Sequence, residues 1–111
     1  MLKKEYIKLK ENGDKETHLC VEMDYNLGGM NYFNYQEVPR GYYLYVVPCT
    51  LEDRGTYQTV SQVLGKGLKI LLKQVARRSK KAEDTAIQIA QERKAELIAA
   101  VCKEYGYEVE E

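Results

Sequence analysis

Residues 60–81 contain no Asp or Glu but seven Lys or Arg, in a 111-residue chain whose 17 basic and 17 acidic residues cancel overall. Any fold of this chain must bury the apolar residues of that stretch while keeping its cations in water. A helix does both. Val60, Val63, Leu64, Gly67, Leu68, Leu71, Leu72 and Val75 fall at steps of three and four, and Lys66, Lys69, Lys73, Arg77 and Lys80 recur at the same steps on the opposite side. The spacing predicts a helix over about residues 60–78, capped by Thr59 or Ser61 and broken at Ser79.

A second helix is predicted over about residues 80–105. It opens with Glu83 and Asp84, favourable near a helix N-terminus, and stops at Gly106. Its apolar face reads Ala86, Ile89, Ala90, Leu97, Ala100 and Val101, small enough for close approach, with Arg93 in the middle of that face. A guanidinium buried there needs a partner, either a carboxylate of the same protein or an anionic ligand. Residues 106–111 form a tail with no reason of its own to be ordered.

The first half alternates instead. Ile7 and Leu9, then Leu19, Val21 and Met23, mark two strands around Asn12-Gly13-Asp14. A three-residue loop places Ile7 opposite Leu19, and the shared apolar face favours that register over the two-residue alternative. Residues 24–41 lose the alternation and become rich in Tyr, Asn and Gly, with a short strand around residues 30–35. Residues 42–47 form a firmer strand, apolar or aromatic on both faces, ended by Pro48. After a turn at Asp53-Arg54-Gly55, residues 56–59 return as a last strand. The expectation is an α+β fold of one domain, with an antiparallel sheet of three to four strands (about residues 3–59) followed by two helices. Two apolar helix faces and a two-sided strand exceed what one thin sheet covers, so a homo-oligomer is expected.

Composition narrows the classes further. No apolar run approaches the roughly 18 residues that cross a bilayer, and the charged start of the chain lacks the apolar core of a signal peptide, so a cytoplasmic protein without membrane contact is expected. Three widely spaced cysteines, Cys20, Cys49 and Cys102, read as buried thiols, and His18 is the only histidine. No metal site, cofactor site or catalytic set is expected. Glu52-Asp53 lies beside Arg54 in a turn, and Gly65-x-Gly67 lacks the Lys-Ser/Thr of a phosphate loop.

Three features can carry function. Eight of the eleven Tyr and Phe lie between Tyr25 and Tyr57, mixed with Asn and Gly, and such a surface can stack a base while amides read its edge. Sheet packing is the ordinary alternative. The basic stripe can meet phosphates or can simply be solvated, or neutralised by the acidic second helix. Arg77, Arg78 and Arg93 complete the set. The candidate ligand-binding residues are Asn31, Tyr32, Phe33, Tyr35, Arg40, Arg77, Arg78 and Arg93.

The runs Gly28-Gly29-Met30-Asn31-Tyr32-Phe33, Arg40-Gly41-Tyr42-Tyr43-Leu44 and Val75-Ala76-Arg77-Arg78-Ser79-Lys80-Lys81-Ala82 resemble small proteins encoded by phages and related mobile elements. A sheet followed by two long helices is similar to the phage anti-Thoeris sponge family. That resemblance implies a non-enzymatic oligomer that sequesters cyclic ADP-ribose-type signals or cyclic oligonucleotides, and it supplies no site residues. The function expected is capture of a small phosphorylated nucleotide without chemistry, as a counter-defence protein. The alternative is a phage inhibitor that meets a host defence or nucleic-acid-handling protein, or nucleic acid itself, through the basic helix at 66–81.

Overall fold

The computed structural model describes residues 4–11, 16–31, 36–54, 57–62 and 66–110. Strand β1 (Glu5–Lys8) pairs antiparallel with β2 (His18–Asn26), Ile7 facing Leu19. The Leu9 amide continues the ladder by donating to the Thr17 carbonyl at 2.9 Å. This register gathers Ile7, Leu9, Leu19, Val21 and Met23 on one face, and a slip of one residue would turn β2's apolar set to the other side. The loop residues Asn12, Gly13 and Asp14 lie outside the described residues. Beyond β2, β3 (Gly29–Asn31) and β4 (Gln36–Val38) form a separate two-stranded hairpin.

Strand β5 (Gly41–Arg54) is fourteen residues long and runs through Pro48, where the sequence predicts an end. Along one edge it pairs with β2 from Gly41 to Cys49. Along the other it pairs with two strands in turn: β7 (Leu68–Gln74) opposite Gly41 to Val46, and β6 (Tyr57–Gln62) opposite Cys49 to Arg54. Val47 and Pro48 fall in the gap between these partners. A proline, which lacks an amide hydrogen, is tolerated in a strand where one edge is unpaired. Asp53 and Arg54 belong to the ladder, opposite Gln58 and Tyr57, and are not turn residues.

Among the described residues the predicted helix over 60–78 is replaced by strand: residues 60–62 lie in β6 and residues 68–74 in β7, both along β5. Leu68, Ile70 and Leu72 belong to the core, whereas Lys69 sits over the rings of Tyr43 and Tyr45 on the other face, 4.4 and 4.9 Å from their centroids. The stretch satisfies the two periods at once, and long-range pairing decides between them. A helix would leave the second edge of β5 without hydrogen bonds, and two strands supply them. Gly67, at φ +105°, has a backbone no right-handed helix accepts, and a Cβ there would stand 2.5 Å from the Val46 carbonyl oxygen.

One helix follows, α1 (Lys80–Tyr105), with Ser79 as N-cap accepting from the Ala82 amide at 3.1 Å and Gly106 as left-handed C-cap. Its buried spine, Ala82, Ala86, Ala90, Leu97 and Val101, packs on the face of the sheet that carries Val21, Met23, Tyr42, Leu44 and Val46. Each large side chain buried there contributes about 2 kcal/mol. With one helix covered by its own sheet, the sequence argument for a homo-oligomer loses its premise. Among the described residues no helix is long and apolar enough to cross a membrane.

The tail is ordered, contrary to expectation. Tyr107 is buried in the core, and its hydroxyl accepts from Lys66 Nζ at 3.2 Å. Val109 then bridges to Leu9, the Lys10 amide donates to Glu108 and the Glu110 amide to Lys8, with ion pairs Lys8–Glu110 and Lys10–Glu108 at 3.5 Å alongside. The exposed edge next to β1 supplies the order that the tail lacks by itself.

Two glycine substitutions separate backbone strain from collision. Gly106→Ala meets only strain at φ 73°, with nothing within 4 Å of the new Cβ, and should cost about 1 kcal/mol. Gly67→Ala adds a collision with β5 and should cost about 3 kcal/mol in urea denaturation. Equal losses would refute the close approach of β7 to β5.

Candidate functional site

The two long strands and the helix meet at one end of the molecule: β2 finishes there, β5 starts, β7 finishes and α1 starts. Tyr25, near the end of β2, lies directly opposite Tyr42, and their rings stand 5.1 Å apart at 57°. The Arg78 guanidinium lies over the Tyr25 ring, 5.1 Å from its centroid. Beside this stack opens a cleft of about 480 Å³ lined by Tyr42, Arg78, Ser79, Lys80, Glu83 and Asp84. Tyr42 is fully buried as the floor, and its hydroxyl points to the Ser79 carbonyl at 3.4 Å. Arg78 makes no ion pair at contact distance among the described residues; its charge lies over the Tyr25 ring and attracts the Glu83 carboxylate.

Arg40 has a different task. Its Nε donates to the Leu27 carbonyl at 2.9 Å and its Nη1 to the Ala76 carbonyl at 2.8 Å, while the Val75 amide donates to the Arg40 carbonyl at 3.0 Å. It ties the base of the β3–β4 hairpin to the segment between β7 and α1. Its guanidinium is a brace at the rim of the cleft end. Arg77 is exposed in the same segment. Asn31 lies in β3, paired with Gln36, and Tyr32, Phe33 and Tyr35 lie outside the described residues.

Arg93 does not join this group. It lies 13 residues into α1 from Lys80, about 20 Å along the axis, and pairs with Glu96 one turn on at 3.2 Å with 41% of its side chain exposed. The sequence reading placed it in the middle of the apolar face. The buried spine instead skips from Ala90 to Leu97, and its neighbour Lys94 reaches across to Glu5 of β1 at 2.9 Å. A helix of 3.6 residues per turn puts positions 93 and 94 about 100° apart, so one of them faces β1 and the other solvent.

The expected basic stripe is likewise divided. Lys69 rests between Tyr43 and Tyr45 on the helix-free face and Lys66 meets Tyr107, whereas Arg77, Arg78 and Lys80 gather at the start of α1. Of the cleft lining, the sequence reading named only Arg78; it missed Tyr42, Ser79, Lys80, Glu83 and Asp84, and Tyr25 beside them. Tyr25 was visible only as one aromatic among many, because its place beside Arg78 depends on strand pairing across 53 residues.

Comparison with protein-family models, curated proteins and solved structures returns no match to this chain.

His18 and the three cysteines are not among the residues that line the cleft. His18 Nδ1 lies 2.7 Å from the Thr17 hydroxyl, and burial pushes its imidazole below the usual value, so it is neutral at pH 7. Cys20 and Cys49 are buried diagonal neighbours across β2 and β5. Burial first, and then Cys20, raise the Cys49 thiol from 9.0 to about 11, and burial raises Cys20 and Cys102. Protonated, inaccessible thiols are poor nucleophiles. Because the folded protein holds the Cys49 proton more tightly than the unfolded chain, that stabilisation is full below about pH 9 and is lost as pH rises through about 11. Denaturant midpoints should fall over this window, and Cys49→Ala should make the fall shallower. An unchanged slope in the variant would show that Cys49 titrates alike in both states.

Proposed function

We propose that the protein binds a small phosphorylated nucleotide at the cleft between Tyr42 and the start of α1, and holds it without chemistry. The observation that carries this reading is the exposed Arg78 guanidinium spread on Tyr25 beside the cleft, with no carboxylate close enough for an ion pair among the described residues. A planar cation held this way keeps its donors for a phosphate, and Lys80 and the N-terminal end of the α1 dipole add positive potential from the same side. The acidic residues in the cleft fit the rest of such a ligand: a carboxylate such as Asp84 accepts hydrogen bonds from sugar hydroxyls. A bare phosphate would use only half of this lining. Sequestration of a nucleotide signal, as the resemblance to anti-Thoeris sponges implies, is the role this binding would serve.

A thermal-shift panel of cyclic and linear nucleotides tests the reading, since a ligand that binds only the folded state raises its melting temperature. At least one member should do so in the wild type. Arg78→Ala should leave the unliganded melting temperature within about 1 °C, because the side chain is exposed, and weaken binding by about 2 kcal/mol, roughly 30-fold. Arg93→Ala should bind as the wild type does. No shift with any nucleotide at millimolar concentration, or equal binding by the Arg78 variant, would remove this function from the cleft. Binding of a polynucleotide with affinity that falls steeply as salt rises would favour the alternative, in which the basic residues meet nucleic acid.

A further inference from the structure

Among the described residues, every strand edge of this sheet except one is covered or carries charged residues. Next to β1, residues 108–110 continue the ladder, and Lys4, Glu5 and Lys8 put charge along that edge. β7 carries Lys69 and Lys73. Where β5 runs beyond the end of β2 it carries Glu52, Asp53 and Arg54. Charges and covering segments of this kind are how sheet proteins keep their edges from pairing with other chains. β6 has neither. Its six residues, Tyr-Gln-Thr-Val-Ser-Gln, contain no charge and no proline, and among the described elements it touches β5 alone.

The ribbon that β6 forms with β5 is also unsupported. Residues 51–54 of β5 have β6 as their only strand partner among the described residues, so the end of this hairpin extends past the β1–β2–β5–β7 body of the sheet. Two strands alone are marginal in water, and a third strand is one way to hold them. We propose that β6 is a homodimer edge, pairing antiparallel with β6 of a second copy so that the two sheets become continuous through the two ribbons.

A second copy is the occupant because the strand is complementary to itself. Antiparallel pairing of identical strands about a two-fold axis places each residue opposite one from the same six-residue set, and an uncharged set opposes no like charges. The same operation on β7 about its central Leu71 would set Lys69 of each copy opposite Lys73 of the other, a repulsive arrangement. The proposal is independent of the nucleotide reading, since the cleft lies at the opposite end of β5 from the ribbon.

Sedimentation velocity on the full chain, over micromolar to hundred-micromolar concentration, should show a species of about 26 kDa, twice 12.9 kDa, in reversible exchange with monomer. The double variant Thr59→Lys with Ser61→Lys should weaken the dimer at least about tenfold while leaving the monomer's circular dichroism unchanged. Thr59→Glu with Ser61→Glu should weaken it likewise, and an equimolar mixture of the two variants should recover a 1:1 heterodimer, which neither misfolding nor a remote interface would give. A monomer of 12.9 kDa throughout the range would overturn the proposal. So would a dimer insensitive to both double variants, a mixture that stays monomeric, or dimer loss on Lys69→Glu but not on the β6 changes.

Discussion

The hydrogen-bonding demand of β5 organises this molecule. A fourteen-residue strand in the middle of a sheet presents backbone groups along both edges, and each buried group left unmatched would cost as much as a lost hydrogen bond. β2 answers on one side. On the other, no single strand does: β7 serves the first part and β6 the last, and the change of partner falls at Val47 and Pro48. Pro48 is thus the point around which the second edge is divided. Gly67 enters β7 just beyond it, where only a residue without a side chain passes the Val46 carbonyl.

That division also determines where the cations end up. Had residues 60–78 formed a helix, their lysines and arginines would have made one continuous stripe. As strands they alternate, so Lys69 rests on tyrosines of the helix-free face while Leu68 and Ile70 enter the core. The chain leaves β7 at the end of the sheet where β2 stops, and the short connection to α1 delivers Arg77, Arg78 and Lys80 beside Tyr25 and Tyr42. Arg40 fixes this end by joining two carbonyls 49 residues apart, which gives the aromatic stack a steady frame. The electrostatic character of the cleft is therefore a product of connectivity and of one arginine used as a brace.

Much of this was legible in the residues alone. The β1–β2 hairpin and its register follow from alternation and from Ile7 needing an apolar neighbour, and both are local properties of some twenty residues. α1 announces itself through its acidic start at Glu83 and Asp84, its alanine spine and its stop at Gly106, again within one segment. Of the four arginines named as candidates, Arg40, Arg77 and Arg78 come to the same end of the sheet and Arg93 does not. Their roles were not legible, since a brace and a free donor are the same residue type.

What only the tertiary structure decided depends on residues far apart in the chain. Residues 68–74 fit a helix period and a strand period equally, and the unpaired edge of β5, supplied by residues 41–46, selects the strand. Residues 107–110 have no order of their own until β1 offers them an edge. Arg93 and Lys94 differ by one position, and the place where α1 crosses β1 makes Lys94 the partner of Glu5 and leaves Arg93 to Glu96. In each case local propensity was balanced or silent, and a long-range hydrogen bond or ion pair, absent from any short window of sequence, settled the outcome.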